Sequence, residues 1–75
     1  MRKISEIARD IRKDWKNPYF GAVPYLNAMF SISTTGEMYG ADDAKSIVLY
    51  FLSNANTWRG AVAKSIKAEL KEILK

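Results

Sequence analysis

Residues 41–56, "ADDAKSIVLYFLSNAN", admit two readings that lead to different folds. Ile47 to Leu52 are apolar without a break, which suits a short buried strand as well as a turn or two of buried helix. The flanks favour the helix. Asp42 or Asp43 can accept hydrogen bonds from the free amides of a first helical turn, and either complements the positive end of the helix dipole. Ala44, Ser46 and Ala55 extend the helical frame on both sides without a turn signal, so a helix is expected over about 42–55. Being apolar nearly all round, it should be a buried helix with the others arranged about it.

The chain on either side has the same period. In "ISEIARDIRKDW" the residues Ile4, Ile7, Ala8, Ile11 and Trp15 recur at steps of three and four, predicting a first helix over about 3–16. Pro18 disfavours helical geometry in Asn17 and turns the chain there. A second helix follows over about 22–32, with Pro24 tolerated in its first turn and Val23, Leu26, Met29 and Phe30 facing inward. Ser33 to Gly40 carries glycine and hydroxyl residues without a period and reads as a loop, with a short turn at Glu37 to Tyr39. A fourth helix over about 57–74, capped by Asn56 or Thr57, repeats Val62, Ile66, Leu70, Ile73 and Leu74. The expected fold is all-α: one compact domain of four helices around an apolar third.

Composition narrows the function. A domain of 75 residues buries only about 60–65% of the surface its unfolded chain exposes. With no cysteine and no histidine, disulfides and the common zinc sites are excluded, so packing alone must hold the chain. That agrees with 48% hydrophobic residues. The missing cysteine fits a reducing cytoplasm. "MRKISEIARDIRK" has no apolar segment of a secretory signal, and the run from Ile47 to Leu52 falls far short of the ~20 residues that span a bilayer. A cytoplasmic protein without a membrane segment is expected. Catalysis is not: there is no histidine for proton transfer, no cysteine nucleophile and no serine in a strand-turn-helix setting. No phosphate-binding loop is present either, since none of the four glycines precedes a Lys-Ser or Lys-Thr pair, and no cofactor is implied.

Aromatic and charged residues supply the remaining signals. "DWKNPYFGAVPYLNAM", residues 14–29, gathers Trp15, Tyr19, Phe20 and Tyr25 around two prolines. Trp15 and Phe20 are expected to close a core edge, whereas Tyr19 and Tyr25 have polar ends that suit an interface. Met38 and Tyr39 lie in the glycine-flanked "GEMYG", a second candidate contact site. In "NTWRG", Arg59 would oppose the dipole of the fourth helix and Gly60 would weaken it. Arg59 is therefore a candidate partner-binding residue or the partner of Asp42, Asp43 or Glu37, and Gly60 would let a bulky ring approach the backbone.

The net charge is +4. Arg2, Arg9, Lys13 and Lys16, with Arg12 nearby, form a basic face on the first helix, and Lys64, Lys67, Lys71 and Lys75 form a row on the fourth. Either is a solvated face or a phosphate-contacting one. Glu6, Asp10 and Asp14 stack at steps of four, a repulsive row that the fourth helix's lysines could offset if the two helices are neighbours. A metal on Asp10 and Asp14 is the sharper alternative, but these residues lack the bent oxygen-rich loop of a calcium site, and no metal site is expected.

"IRKDWKNPYFGAVPYLNAM" and "MYGADDAKSIVLYFLSNANTWRG" resemble short accessory proteins of unassigned function encoded by prophages and other mobile elements of Gram-positive bacteria. The resemblance runs from Ile4 to about Leu70 and implies a cytoplasmic protein acting during phage or element maintenance, where small proteins often bind and inhibit a host or defence component; it brings no fold, activity or binding residues with it. Two functions follow. One is a non-enzymatic module that binds a protein partner through Tyr19, Tyr25, Met38, Tyr39 and Arg59, aromatic and arginine side chains being dominant at interfaces. The other is a nucleic-acid-binding accessory protein that uses Arg9, Arg12, Lys13 and Lys16. A patch that binds a partner can equally bind a second copy of the chain.

Overall fold

The computed structural model describes residues 2–33, 38–39 and 42–74. Four helices, α1 (Ile4–Asp14), α2 (Val23–Met29), α3 (Ala44–Ser53) and α4 (Ala61–Ile73), enclose one core, with a radius of gyration of 11.0 Å. α1 packs against α2 and α4, and α2 packs against α3. The all-α bundle expected from the periodicity is the architecture found. Gly36, Glu37 and Gly40 of "GEMYG", and Lys75 of the fourth helix's row, lie outside the described residues.

Ile4, Ile7, Ala8 and Ile11 are buried, as their spacing requires. The start of α1 is tied down twice: Glu6 Oε1 accepts the Lys3 amide at 3.0 Å, and the Ser33 carbonyl accepts the Ile4 amide at 3.0 Å. These bonds satisfy amides that a helix leaves open at its first turn. The helix ends at Asp14, short of the expected boundary. Trp15 leaves helical geometry at φ −96° and ψ 88°, which lets its indole enter the core instead of continuing the spiral.

α2 carries Pro24 in its first turn, as expected, and stops at Met29. Beyond it the amides of Phe30, Ser31 and Ile32 each bond the carbonyl three residues back. This tighter winding buries Ile32 and turns Phe30 out to solvent, correcting the inward placement read from a uniform helical period.

Met38–Tyr39 (β1) and Asp42–Asp43 (β2) form a minimal antiparallel pair, with Met38 opposite Asp43 and Tyr39 opposite Asp42. A turn at Glu37 to Tyr39 was expected; the described part of it, Met38 and Tyr39, is extended. The pair delivers Asp43 in the extended conformation that an N-cap needs, φ −82° and ψ 158°. Asp43 Oδ1 then accepts the Ser46 amide at 2.7 Å, so Asp43 caps α3; hydrogen bonding to the Ser46 side chain, and then to its amide, holds the Asp43 carboxyl below the usual range. α3 buries Ala44, Ile47, Val48 and Phe51 but leaves Leu49 53% and Tyr50 46% exposed. Its continuous apolar run thus divides between core and surface.

α4 begins at Ala61 rather than near Thr57. Trp58, 2% exposed, must first turn into the core, and Gly60 then caps the helix at φ 115° and ψ 177°, a conformation nearly confined to glycine. A Cβ on Gly60 would meet nothing within 4 Å, so its reason is this backbone conformation and not the approach of a ring. Ala63, Ile66 and Leu70 face the core, Ile73 and Leu74 lie at its edge, and Val62 is exposed.

One corner joins the two ends of the chain. Trp15 stacks on Trp58 at 5.7 Å and 12°, and meets Phe51 edge-on at 6.2 Å. The Trp58 indole Nε1–H donates to Asp14 Oδ2 at 2.8 Å. Lys67 Nζ donates to the carbonyls of Ala55 and Trp58, each at 2.7 Å, which fixes the connection between α3 and α4.

Candidate functional site

The main departure from burial is a set of rings along the junction of α2 and α3. Phe20 is 79% exposed and Tyr19 44%, their rings 4.8 Å apart and tilted by 53°. Half-buried Tyr25 meets the exposed Tyr50 at 5.5 Å, tilted by 45°. Gly21 and Asn54 link the two pairs. A Cβ on Gly21 would stand 2.6 Å from Tyr19 Cε2 and 3.0 Å from Asn54 Oδ1, so glycine is what admits the ring there. Asn54 Nδ2 in turn donates to the Tyr50 carbonyl at 2.8 Å. Leu49, beside Tyr50 in α3, adds exposed apolar surface.

Local backbone chemistry holds Tyr19 and Phe20 in place. The Tyr19 carbonyl accepts the Ala22 amide at 2.8 Å and the Phe20 carbonyl the Val23 amide at 3.3 Å, forming a turn that leads into α2. Phe20 was expected to help close the core edge. Trp58 takes that position beside Trp15, and Phe20 is left in solvent. Neither Trp58 as a core residue nor Tyr50 as a surface one was recognised in the sequence: Trp58 follows capping residues with no period, and Tyr50 sits in an apolar run.

The other candidate residues lie elsewhere. Met38 and Tyr39 are placed by the backbone pairing of β1, and the contact role of their side chains lies outside what is described. Arg59 is exposed and precedes Gly60, so it does not sit within the first turn of α4. Among the described residues it has no salt bridge; Asp43, one suggested partner, is engaged by Ser46, while Glu37 lies outside the described set. Arg59 lines a groove of about 470 Å³ with Trp58, Gly60, Ala63, Lys64 and Lys67. Burial pushes the Lys67 ammonium's pKa down, with Lys71 and Arg59 adding repulsion.

On α1, Arg9 and Lys13 are exposed, as is Lys16 just beyond it. Arg12 is already engaged, donating to Asn27 Oδ1 at 2.6 Å with its guanidinium 5.2 Å from the Phe30 ring centre. Arg2 forks onto Glu69, Nη2 to Oε1 at 2.6 Å and Nε to Oε2 at 3.0 Å, and also bonds Asp10. The Glu69 bonds and then Asp10 raise the arginine's pKa, and the Arg2 bond lowers that of Glu69. Among the described residues, repulsion along the α1 carboxylate row is met by Arg2 at Asp10 and by the Trp58 indole at Asp14, and no salt bridge reaches it from Lys64, Lys67 or Lys71.

A groove of about 600 Å³ between α1 and α4 has Val62 and Ile66 in its wall and Asp10, Lys13 and Asp14 at its side. Both carboxylates there already accept hydrogen bonds from the chain. Among the described residues no helix is long and apolar enough to cross a membrane. Compared with protein-family models, curated proteins and solved structures, the chain finds no match.

Proposed function

We propose that this is a non-enzymatic protein-binding module whose contact surface is the aromatic junction of α2 and α3: Tyr19, Phe20, Tyr25 and Tyr50, with Leu49 beside them. The observation that carries this reading is Phe20, 79% exposed in a domain that buries both of its tryptophans. Large rings bring the greatest gain when they leave water, and aromatic side chains are enriched among the anchors of protein interfaces. Tyrosine suits the role further, pairing an apolar ring with a hydroxyl that tolerates water before binding. The resemblance to prophage-encoded accessory proteins supplies the context, a host or defence component as the target. Of the residues suggested by the sequence, Tyr19 and Tyr25 belong to this surface, and Phe20 and Tyr50 join them.

The test is affinity capture from a Gram-positive host lysate after nuclease treatment, comparing the native chain with a Phe20→Ser/Tyr50→Ser variant. A discrete protein retained by the native chain and lost by the variant supports the reading. Equal retention by both, or no retained protein, refutes it. The second reading, nucleic-acid binding by α1, rests on the exposure of Arg9, Lys13 and Lys16, with Arg12 withdrawn to Asn27. It requires an affinity that falls steeply with salt, by nearly one unit of log-log slope per neutralised phosphate.

A further inference from the structure

We infer that the cationic groove at the start of α4 receives an acidic segment of the protein partner, bound by Arg59 and Lys64 with Lys71 further along the helix. This builds on the preceding reading only in taking the partner to be a protein. The groove is lined by Trp58, Arg59, Gly60, Ala63, Lys64 and Lys67, three cations and no carboxylate. Lys64, Lys67 and Lys71 follow one another at steps of three and four, which puts them on one flank of α4. The acidic groups of the α1–α4 contact, Asp10, Asp14 and Glu69, are engaged by Arg2 and Trp58.

Like charges are therefore concentrated here without a carboxylate in the groove to offset them. Lys67 turns its ammonium inward to two backbone carbonyls, while Arg59, Lys64 and Lys71 are exposed. Gly60 and Ala63 contribute little side-chain bulk, and open space lies where a Cβ on Gly60 would be. An incoming backbone can approach closely while its carboxylates meet the flanking cations. Complementary charge of this kind governs encounter rate and register at protein interfaces.

The connection between α3 and α4 borders both the groove and a second hollow beside Tyr19. Tyr19 lines a hollow with Ser53, Asn54, Asn56 and Thr57, and Arg59 comes two residues later along the same connection. A nucleic-acid strand is the less fitting polyanion. Strand binding uses successive open ring faces as stacking platforms, whereas the one ring in the groove's lining, Trp58, is buried and stacked on Trp15.

The test titrates the full-length ¹⁵N-labelled chain with a glutamate-rich dodecapeptide free of aromatic residues, and in parallel with a dodecamer of thymidylate. The expected result is amide shifts confined to the region of residues 59–71, weakened several-fold by salt near 0.3 M, where screening reaches within about 6 Å. Arg59→Ala/Lys64→Ala, at exposed positions and with an unchanged Tm, should lower peptide affinity at least about fivefold, a loss of roughly 1 kcal/mol. Phe20→Ser/Tyr50→Ser should bind the peptide as the native chain does, so failure of the groove is read separately from failure of the aromatic surface. Absence of shifts in this region, indifference to Arg59→Ala/Lys64→Ala, or tighter binding of thymidylate at the same amides would overturn the assignment.

Discussion

Tyr50 and Phe51 are neighbours in α3, turned about 100° from one another around the helix axis, and they belong to different parts of the molecule. Phe51 is fully buried against the edge of Trp15, in the corner where Trp58 stacks and bonds Asp14. Tyr50 is 46% exposed, leaning on Tyr25, with Tyr19 and Phe20 on the far side of Asn54. Similar rings thus do two kinds of work. In the corner every ring has neighbours on several sides and the indole nitrogen has a partner, so its burial stabilises the fold. Along the α2–α3 junction the rings touch one another and water, so part of the free energy available from burying them, most of all at Phe20, is still to be gained.

The largest effects should come from attacking the corner. Trp58→Ala removes a buried ring and should cost about 3–5 kcal/mol, against a total of roughly 4–11 kcal/mol for a domain of this size. Urea unfolding should find the variant's midpoint far below that of the native chain. Trp58→Phe keeps a ring but loses the bond to Asp14, and a smaller loss of about 1–2 kcal/mol is expected. If both variants unfold at the native midpoint, the corner is not what holds the two ends of the chain together.

Gly60→Ala comes next. Alanine at φ 115° and ψ 177° should cost about 1–3 kcal/mol even though space for its methyl group is open. A native Tm for this variant would mean that α4 begins elsewhere. Lys67→Met removes two hydrogen bonds to the Ala55 and Trp58 carbonyls while retaining the aliphatic bulk. A loss of about 1–2 kcal/mol is expected, with amide exchange quickening first in the connection between α3 and α4.

A smaller and pH-dependent effect belongs to Glu69, whose carboxyl is held below its ordinary value by Arg2. Its contribution is fully present above the unfolded value of about 4.3 and is lost as pH falls through the lower folded one. Thermal unfolding should separate native chain from Glu69→Gln at neutral pH, and the two curves should converge in acid. A difference that persists unchanged at low pH would assign the stabilisation to packing of the side chain instead of its charge.

Much of this architecture was legible because burial repeats with the helical period. Ile4, Ile7, Ile11, Leu26, Met29, Ile66 and Leu70 occupy the faces their spacing assigns, and Asp43 caps as its position before an apolar run suggests. The helix ends were less legible, since each is set by one residue's backbone: Trp15 leaving the spiral, tighter winding at Phe30, and Gly60 at positive φ. The candidate surface was half legible. Tyr19 and Tyr25 signalled it by residue type, but the exposure of Phe20 depends on Trp58 filling the corner from the far end of the chain. Tyr50 and Leu49 were hidden because an unbroken apolar run does not say which of its residues face water.

The distinction between the two ring clusters is tested most directly by urea unfolding of Phe20→Ser/Tyr50→Ser measured beside Trp58→Phe. The exposed pair should unfold within about 1 kcal/mol of the native chain, as surface substitutions do, with an unchanged denaturant slope. A loss of about 3 kcal/mol or more from the double variant would contradict the account, because rings that hold the fold to that extent are not free to hold a partner.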